Sequence, residues 1–161
     1  MHSRIVLPLA LIAAVILGAG PASAQGAGAV SFTQTDKNVT QSDPNNVNPC
    51  SGASGTLTQT FNDVFHITTL TSGIGAGTFW ATGTVEGTVK FVPNDASQPT
   101  YTGHFATWFG DNNNLRNGAE TSTFSAQVTG SDGSRLNIHE VAHLSVSATG
   151  VTVSFDNFSC R

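Results

Sequence analysis

Between Thr56 and Phe158 the chain alternates apolar and polar residues with a period of two, and a helical period is absent from that stretch. Such alternation sends successive side chains to opposite faces of an extended strand. One phase of a long segment reads Phe79, Ala81, Gly83, Val85, Gly87, Val89, Phe91, and the other reads Trp80, Thr82, Thr84, Glu86, Thr88, Lys90. The next segment sets Tyr101, Gly103, Phe105 and Phe109 against Thr102, His104 and Trp108, and the following one sets Phe124, Ala126 and Val128 against Thr123, Ser125 and Gln127. With no helix to make a crossover, neighbouring strands must run antiparallel.

The alternation predicts strands over 56–70, 77–92, 100–109, 119–130, 134–148 and 150–158, with one short strand, Ala29–Thr35, ahead of them. Ser72-Gly73, Pro93-Asn94-Asp95, Gly110 to Asn114, Ser131-Asp132-Gly133 and Thr149-Gly150 are the breaks, and Asp132-Gly133 and Thr149-Gly150 have the composition of tight hairpins. Asp43 to Pro49 reads as a loop by composition. Consecutive hairpins with one apolar face predict an all-β fold, a single antiparallel up-and-down β-barrel, with a β-sandwich as the alternative. Gly83, Gly87 and Gly103, all on the apolar phase, fit bends in a curved sheet.

Ahead of this domain stand Arg4, an apolar run Ile5–Leu17 broken by Pro8, and Ala22-Ser23-Ala24 before Gln25. That order is the pattern of a cleaved signal peptide over residues 1–24. The expectation is a secreted, extracellular protein with no membrane insertion after cleavage, its residues 25–161 forming one domain: an N-terminal strand and loop over 25–55 and a barrel core over 56–161. The mature chain keeps five basic residues against ten acidic ones. This balance excludes a nucleic-acid partner, which requires a basic surface to neutralise phosphates. Cys50 and Cys160 are the two cysteines of the chain. In an exported protein an even pair reads as a disulfide, with a metal pair or two free thiols as the alternatives.

Asn48-Pro49-Cys50, Val64-Phe65-His66, Tyr101-Thr102-Gly103-His104-Phe105, Trp108-Phe109-Gly110, Asp132-Gly133-Ser134 and His139-Glu140-Val141-Ala142-His143 occur in that order. In these motifs the chain resembles a family of small exported actinobacterial proteins. The resemblance implies secretion and a single β-domain, and it carries over no catalytic residue.

Two carboxylates fall on the apolar phase. Asp63 is in step with Leu57, Phe61, Phe65 and Ile67, and Glu140 with Leu136, Ile138, Ala142 and Leu144. Acids facing an apolar interior need a partner or a function. Asp63 and Glu140 are therefore candidates for a ligand-binding or general acid/base pair, as in a barrel enzyme of isomerase or cyclase type. The competing reading is a β-bulge, with Asn62-Asp63 as its site, that returns the acid to solvent.

The hydroxyl-rich phase carries His66, His104, His139, His143 and Glu86, a set of donors suited to a metal. His139 and His143 lie about 13 Å apart on a strand at ~3.3 Å per residue, too far to share an ion. His139-Glu140-Val141-Ala142-His143 matches H-E-x-x-H in letters, but that mechanism requires a helix. Gly110 to Asn114 offers oxygen donors for calcium without the spacing of a dedicated loop. Trp80 and Trp108 share the phase of His104 and together read as a platform for a saccharide. The sequence thus points first to a non-enzymatic binder of a small ligand or glycan, with no cofactor, and second to the enzyme.

Overall fold

The computed structural model describes residues 28–161. The signal peptide read at residues 1–24 lies outside the described residues. Seven strands follow one another: β1 (Ala29–Val47), β2 (Ser54–Leu70), β3 (Phe79–Pro93), β4 (Tyr101–Asn113), β5 (Gly118–Gly130), β6 (Arg135–Ser147) and β7 (Gly150–Cys160). They form one sheet in the order β1-β2-β3-β4-β5-β6-β7, each strand antiparallel to its neighbours. The fold is therefore all-β and up-and-down. All seven strands belong to one sheet, so the two-sheet sandwich is not formed.

The sheet is strongly rolled. In a flat sheet the start of β2 and the end of β7, five strand intervals apart, would be separated by about 24 Å at ~4.8 Å per interval. Cys50, in the β1–β2 turn, and Cys160, at the end of β7, are instead joined by a disulfide with their Cα atoms 5.7 Å apart. Asn48 shapes that turn: its Oδ1 accepts the N–H groups of Cys50 (2.9 Å) and Ser51 (3.2 Å), and its own N–H donates to the Ala53 carbonyl at 2.8 Å. The ring stops short of closure, however. Among the described residues no ladder joins β1 to β7, so both strands keep a free edge.

Close backbone approach on the inner side shows where the sheet bends. A Cβ at Gly87 would collide with the Thr60 carbonyl oxygen and stand 2.7 Å from the Phe61 Cα, and one at Gly103 would collide with the Gln127 carbonyl and stand 2.7 Å from the Val128 Cα. Toward this face point Phe91, Phe105, Phe109, Ala126 and Val128, the buried apolar core. Phe65 and Phe109, on β2 and β4, reach each other over Gly83 with ring centroids 5.6 Å apart. Phe105 contacts Phe61 at 6.4 Å and Phe124 at 6.2 Å.

Two strands run further than composition indicates. β1 continues through Asp43-Pro44-Asn45-Asn46 to Val47, because its two register shifts, between Asp36 and Val39 and between Asp43 and Asn46, absorb the poor strand formers as bulges on an edge strand. β4 runs past Phe109 to Asn113, so Gly110-Asp111-Asn112-Asn113 alternates between faces rather than forming a calcium loop.

Candidate functional site

Asp63 lies on the inner face, 7% exposed, and the ladder from β2 to β3 runs through it without a register shift. The bulge that would have turned it to solvent sits on the partner strand, at Lys37-Asn38 of β1. Glu140 is half-buried on the same face, and the irregularity of the β6–β7 ladder comes later, at Ser145/Val146. Across the ladders Asp36, Asp63, Val85, Thr107, Phe124, Glu140 and Phe158 form a single row. The two acids thus share a level of the rolled sheet. Between them the Thr107 hydroxyl is buried and has no hydrogen-bond partner.

Four further acids share this face by register, and alternation alone would have found three of them. Asp36 follows Phe32 in phase, Asp111 follows Phe109, and Glu120 precedes Phe124 by four residues. Asp156 is opposite Ala142 and beside the Glu140 position. Asp36 faces Asp63, and Asp111 faces Glu120. Lys90 and Arg135 pair with outer-phase threonines, Arg161 pairs with outer-phase Asn137, Lys37 falls in the bulge and Arg116 in the β4–β5 turn, so among the described residues no lysine or arginine occupies the inner register. The consequence is electrostatic. Burial first, and the neighbouring Asp36 charge second, hold the Asp63 carboxyl above its usual range against the opposing hydrogen bond from the Asp36 N–H. Burial, then Asp111, raises Glu120; burial, then Asp156, raises Glu140; burial raises Asp111.

The outer face has a different chemistry. A depression of about 570 Å³ crosses β1 to β5. One row of its lining is Asn38, Asn62, Glu86 and Ser125, and the next is Thr60, Thr88, His104 and Gln127. Glu86 and His104 are diagonal neighbours, since Glu86 pairs with Ala106 and His104 with Thr88. Asn38 enters this wall through backbone geometry: it has φ 55° at the β1 bulge, and its N–H donates to Asn62 Oδ1 at 3.0 Å. Asparagine tolerates that left-handed conformation better than most residues, and a bulge re-aims the side chains beside it. Sequence reasoning flagged Glu86 and His104 but missed the amides, which become neighbours through the register of separate strands.

Trp108 stands on β4 one outer-face position beyond Ala106 of the depression. Its indole lies along the strand over Gly110, where a Cβ would be 3.0 Å from Cη2 and 3.2 Å from Cζ2. The ring is 42% exposed, and Trp80, on β3 toward the same end, is 45% exposed.

The remaining histidines do not converge. The His66 Nδ1 is 2.9 Å from the Thr33 hydroxyl, His143 Nδ1 is 2.7 Å from the Thr121 hydroxyl, and His139 Nδ1 is 3.1 Å from the Phe124 carbonyl. His143 also stacks on Phe155, with centroids 5.6 Å apart. His139-Glu140-Val141-Ala142-His143 lies on strand β6, with Glu140 on the opposite face from both histidines. Among the described residues no three His, Cys, Asp or Glu side chains gather to hold a metal ion. No helix of the described residues is long and apolar enough to cross a membrane. Comparison with protein families, with characterised proteins and with solved structures finds no match.

Proposed function

We propose that this chain is an exported, non-enzymatic binding protein that takes a glycan on the outer face of its sheet. The observation that carries this reading is the juxtaposition of the 570 Å³ depression with the exposed Trp108 indole. The depression is lined by amides, hydroxyls, one imidazole and one carboxylate, a set that exchanges hydrogen bonds with sugar hydroxyls in both directions. Small-molecule pockets are instead lined mainly by apolar side chains. The exposed indole, which reaches along its strand to Gly110, supplies an aromatic surface for the C–H side of a sugar ring, and Trp80 stands toward the same end. The signal peptide pattern, the disulfide and the resemblance to exported proteins support export, and the rolled sheet acts as a barrel-like scaffold.

Titrating the tryptophan fluorescence of the mature protein with a panel of soluble oligosaccharides tests this. The expected result is a saturable change with at least one of them that disappears in Trp108→Ala. A panel without response, or a response that survives in Trp108→Ala, overturns the reading.

The row that joins Asp63, the unpartnered Thr107 hydroxyl and Glu140 favours a second reading, in which a small ligand is held, or isomerised, on the inner face. A thermal-shift screen of small polar and lipophilic compounds separates the two. A compound bound inside raises the melting temperature of the native protein and of Trp108→Ala alike, and loses its effect in Asp63→Asn. Equal shifts in Asp63→Asn and the native protein overturn this second reading.

A further inference from the structure

The charge of the outer depression narrows the class of glycan. This step rests on the glycan reading above. Of the side chains that line the depression, Glu86 is the one acid, and no lysine or arginine is among them. Glu86 occupies the middle of its row, with Asn62 on one side and Ala106 on the other. Because Ala106 is small, the carboxylate has open space toward β4 and β5, where Ser125 and Gln127 form the far wall. The cations on the same face are displaced from the lining: Lys90 lies two residues beyond Thr88, Lys37 belongs to the bulge, Arg135 faces Thr129 two residues beyond Gln127, and Arg161 stands two strands from Gln127, across Asn137. The inner face adds carboxylates but no lysine or arginine, and the mature chain has five basic residues against ten acidic ones.

Each charge class of sugar meets this lining differently. A uronic or sulfated sugar would bring its anion against Glu86 with no lining lysine or arginine to receive it, and like charges in one site repel. An N-acetylated sugar would offer Glu86 one amide N–H. A free amino sugar would offer an ammonium with three donors, and a hydrogen bond between two charged groups is roughly twice as strong as a neutral one. Asn38, Asn62 and Gln127 then remain for the ring hydroxyls, and Trp108 for the apolar face of the next sugar along. From this arrangement we infer that the outer depression selects glycans whose sugars carry a free, protonated amine, with Glu86 as the residue that determines the selectivity.

The test is a set of fluorescence or calorimetric titrations at pH about 5.5, below the range in which a free amine loses its proton. The probes are glucosamine oligomers, N-acetylglucosamine oligomers and galacturonic acid oligomers of equal length. The native protein should bind the glucosamine oligomer at least about fivefold more tightly than the N-acetylated one, which corresponds to the upper range of an exposed ion pair. It should bind the uronic acid oligomer most weakly. In Glu86→Gln the preference should fall to within about twofold, and in the native protein it should shrink as salt is raised. Equal binding of the amino and N-acetyl oligomers, still abolished by Trp108→Ala, would overturn the selectivity and leave the glycan reading standing. A preference that persists in Glu86→Gln would remove Glu86 from its role. Failure of all three oligomers to bind, in a protein that does bind another saccharide of the panel, overturns the inference alone; failure of the whole panel overturns both readings.

Discussion

Asp36 on β1 and Asp63 on β2 are direct cross-strand partners, two carboxylates on the inner face whose contact is an N–H donated by the Asp36 backbone to Asp63 Oδ1 at 3.3 Å. Like charges placed directly opposite each other destabilise a ladder, and Asp63 is also buried. Asp63→Asn removes one of the two charges and keeps an oxygen for the Asp36 N–H. At neutral pH this variant should be more stable than the parent by about 0.5–1 kcal/mol, the scale of one cross-strand pair. Urea denaturation of both proteins measures the difference. A less stable variant would mean that the charge is compensated on the inner face.

Acid pH should stabilise the protein. Asp63, Asp111, Glu120 and Glu140 are all raised above their ordinary values of 3.8 or 4.5, chiefly by burial. A carboxyl raised in the folded state contributes stability that is complete below its unfolded pKa and is lost as pH rises through the folded one. Asp43, Asp95 and Asp132 are lowered from 3.8 by hydrogen bonds within their turns. Their contribution is present above 3.8 and disappears as pH falls through their depressed values. The melting temperature should therefore increase from about pH 7.5 to about pH 4.5 and fall again at lower pH. Asp63→Asn should show a smaller increase, and identical profiles for the two proteins would refute the role given to Asp63.

The strand phase was legible because each long strand has one apolar side, and a period of two cannot be satisfied by any other element. Asp63 and Glu140 were found this way. Asp111 was missed because Gly110 to Asn114 reads as a turn, although the alternation of Phe105 and Phe109 extends through Asp111; Glu120 lay within the strand over 119–130 and in phase with Phe124, and was passed over. The second half of β1 was hidden by Asp43-Pro44-Asn45-Asn46, which an edge strand tolerates and a central one would not. Ring closure depends on how the first and last strands meet, a relation set by the stagger of all the strands and not by local residues. The outer depression was invisible for a similar reason: Asn38 joins it through a bulge, and Gln127 through the register of β4 with β5.

Gly87→Ala probes the bend between β2 and β3. Its new methyl would meet the Thr60 carbonyl and the Phe61 Cα, both backbone atoms that cannot rotate aside. The expected cost is about 1–3 kcal/mol, the range for forcing an extra methyl into a packed site. Gly133→Ala would meet no atom within 4 Å, but φ there is 85° and the substitution strains the turn instead. Chemical denaturation of Gly87→Ala checks the prediction, and a loss below about 0.5 kcal/mol would show that the sheet does not require close approach at this point.

Gly110→Ala should separate the Trp108 platform from the stability of the sheet. Here the added methyl would meet the outer edge of the indole at 3.0 Å, a side-chain contact that the exposed ring can relieve by lifting. The stability change should stay within about 0.5 kcal/mol, as for most surface substitutions. The emission of Trp108, read as the difference between Gly110→Ala and the same variant carrying Trp108→Phe, should move to longer wavelength as the ring enters water. An unchanged spectrum would mean that Gly110 does not seat the indole.

Cys50 and Cys160 are separated by 110 residues, and their bond ties the end of the edge strand β7 to the β1–β2 turn. Closing so long a loop restricts the unfolded chain, and the chain-entropy model assigns about 4–5 kcal/mol to a bridge of this span. No ladder between β1 and β7 duplicates the link among the described residues. The double variant Cys50→Ala, Cys160→Ala should therefore lose about 4 kcal/mol of stability. The loss should also have a location. Hydrogen exchange should accelerate along β7 and in the turn around Asn48, whose Oδ1 holds the Cys50 and Ser51 N–H groups, before it does so in β3 and β4. Uniform acceleration across the sheet would show that the disulfide acts on the unfolded chain alone; protection of β7 equal to that of the parent would show that the β6–β7 ladder holds the edge strand without it.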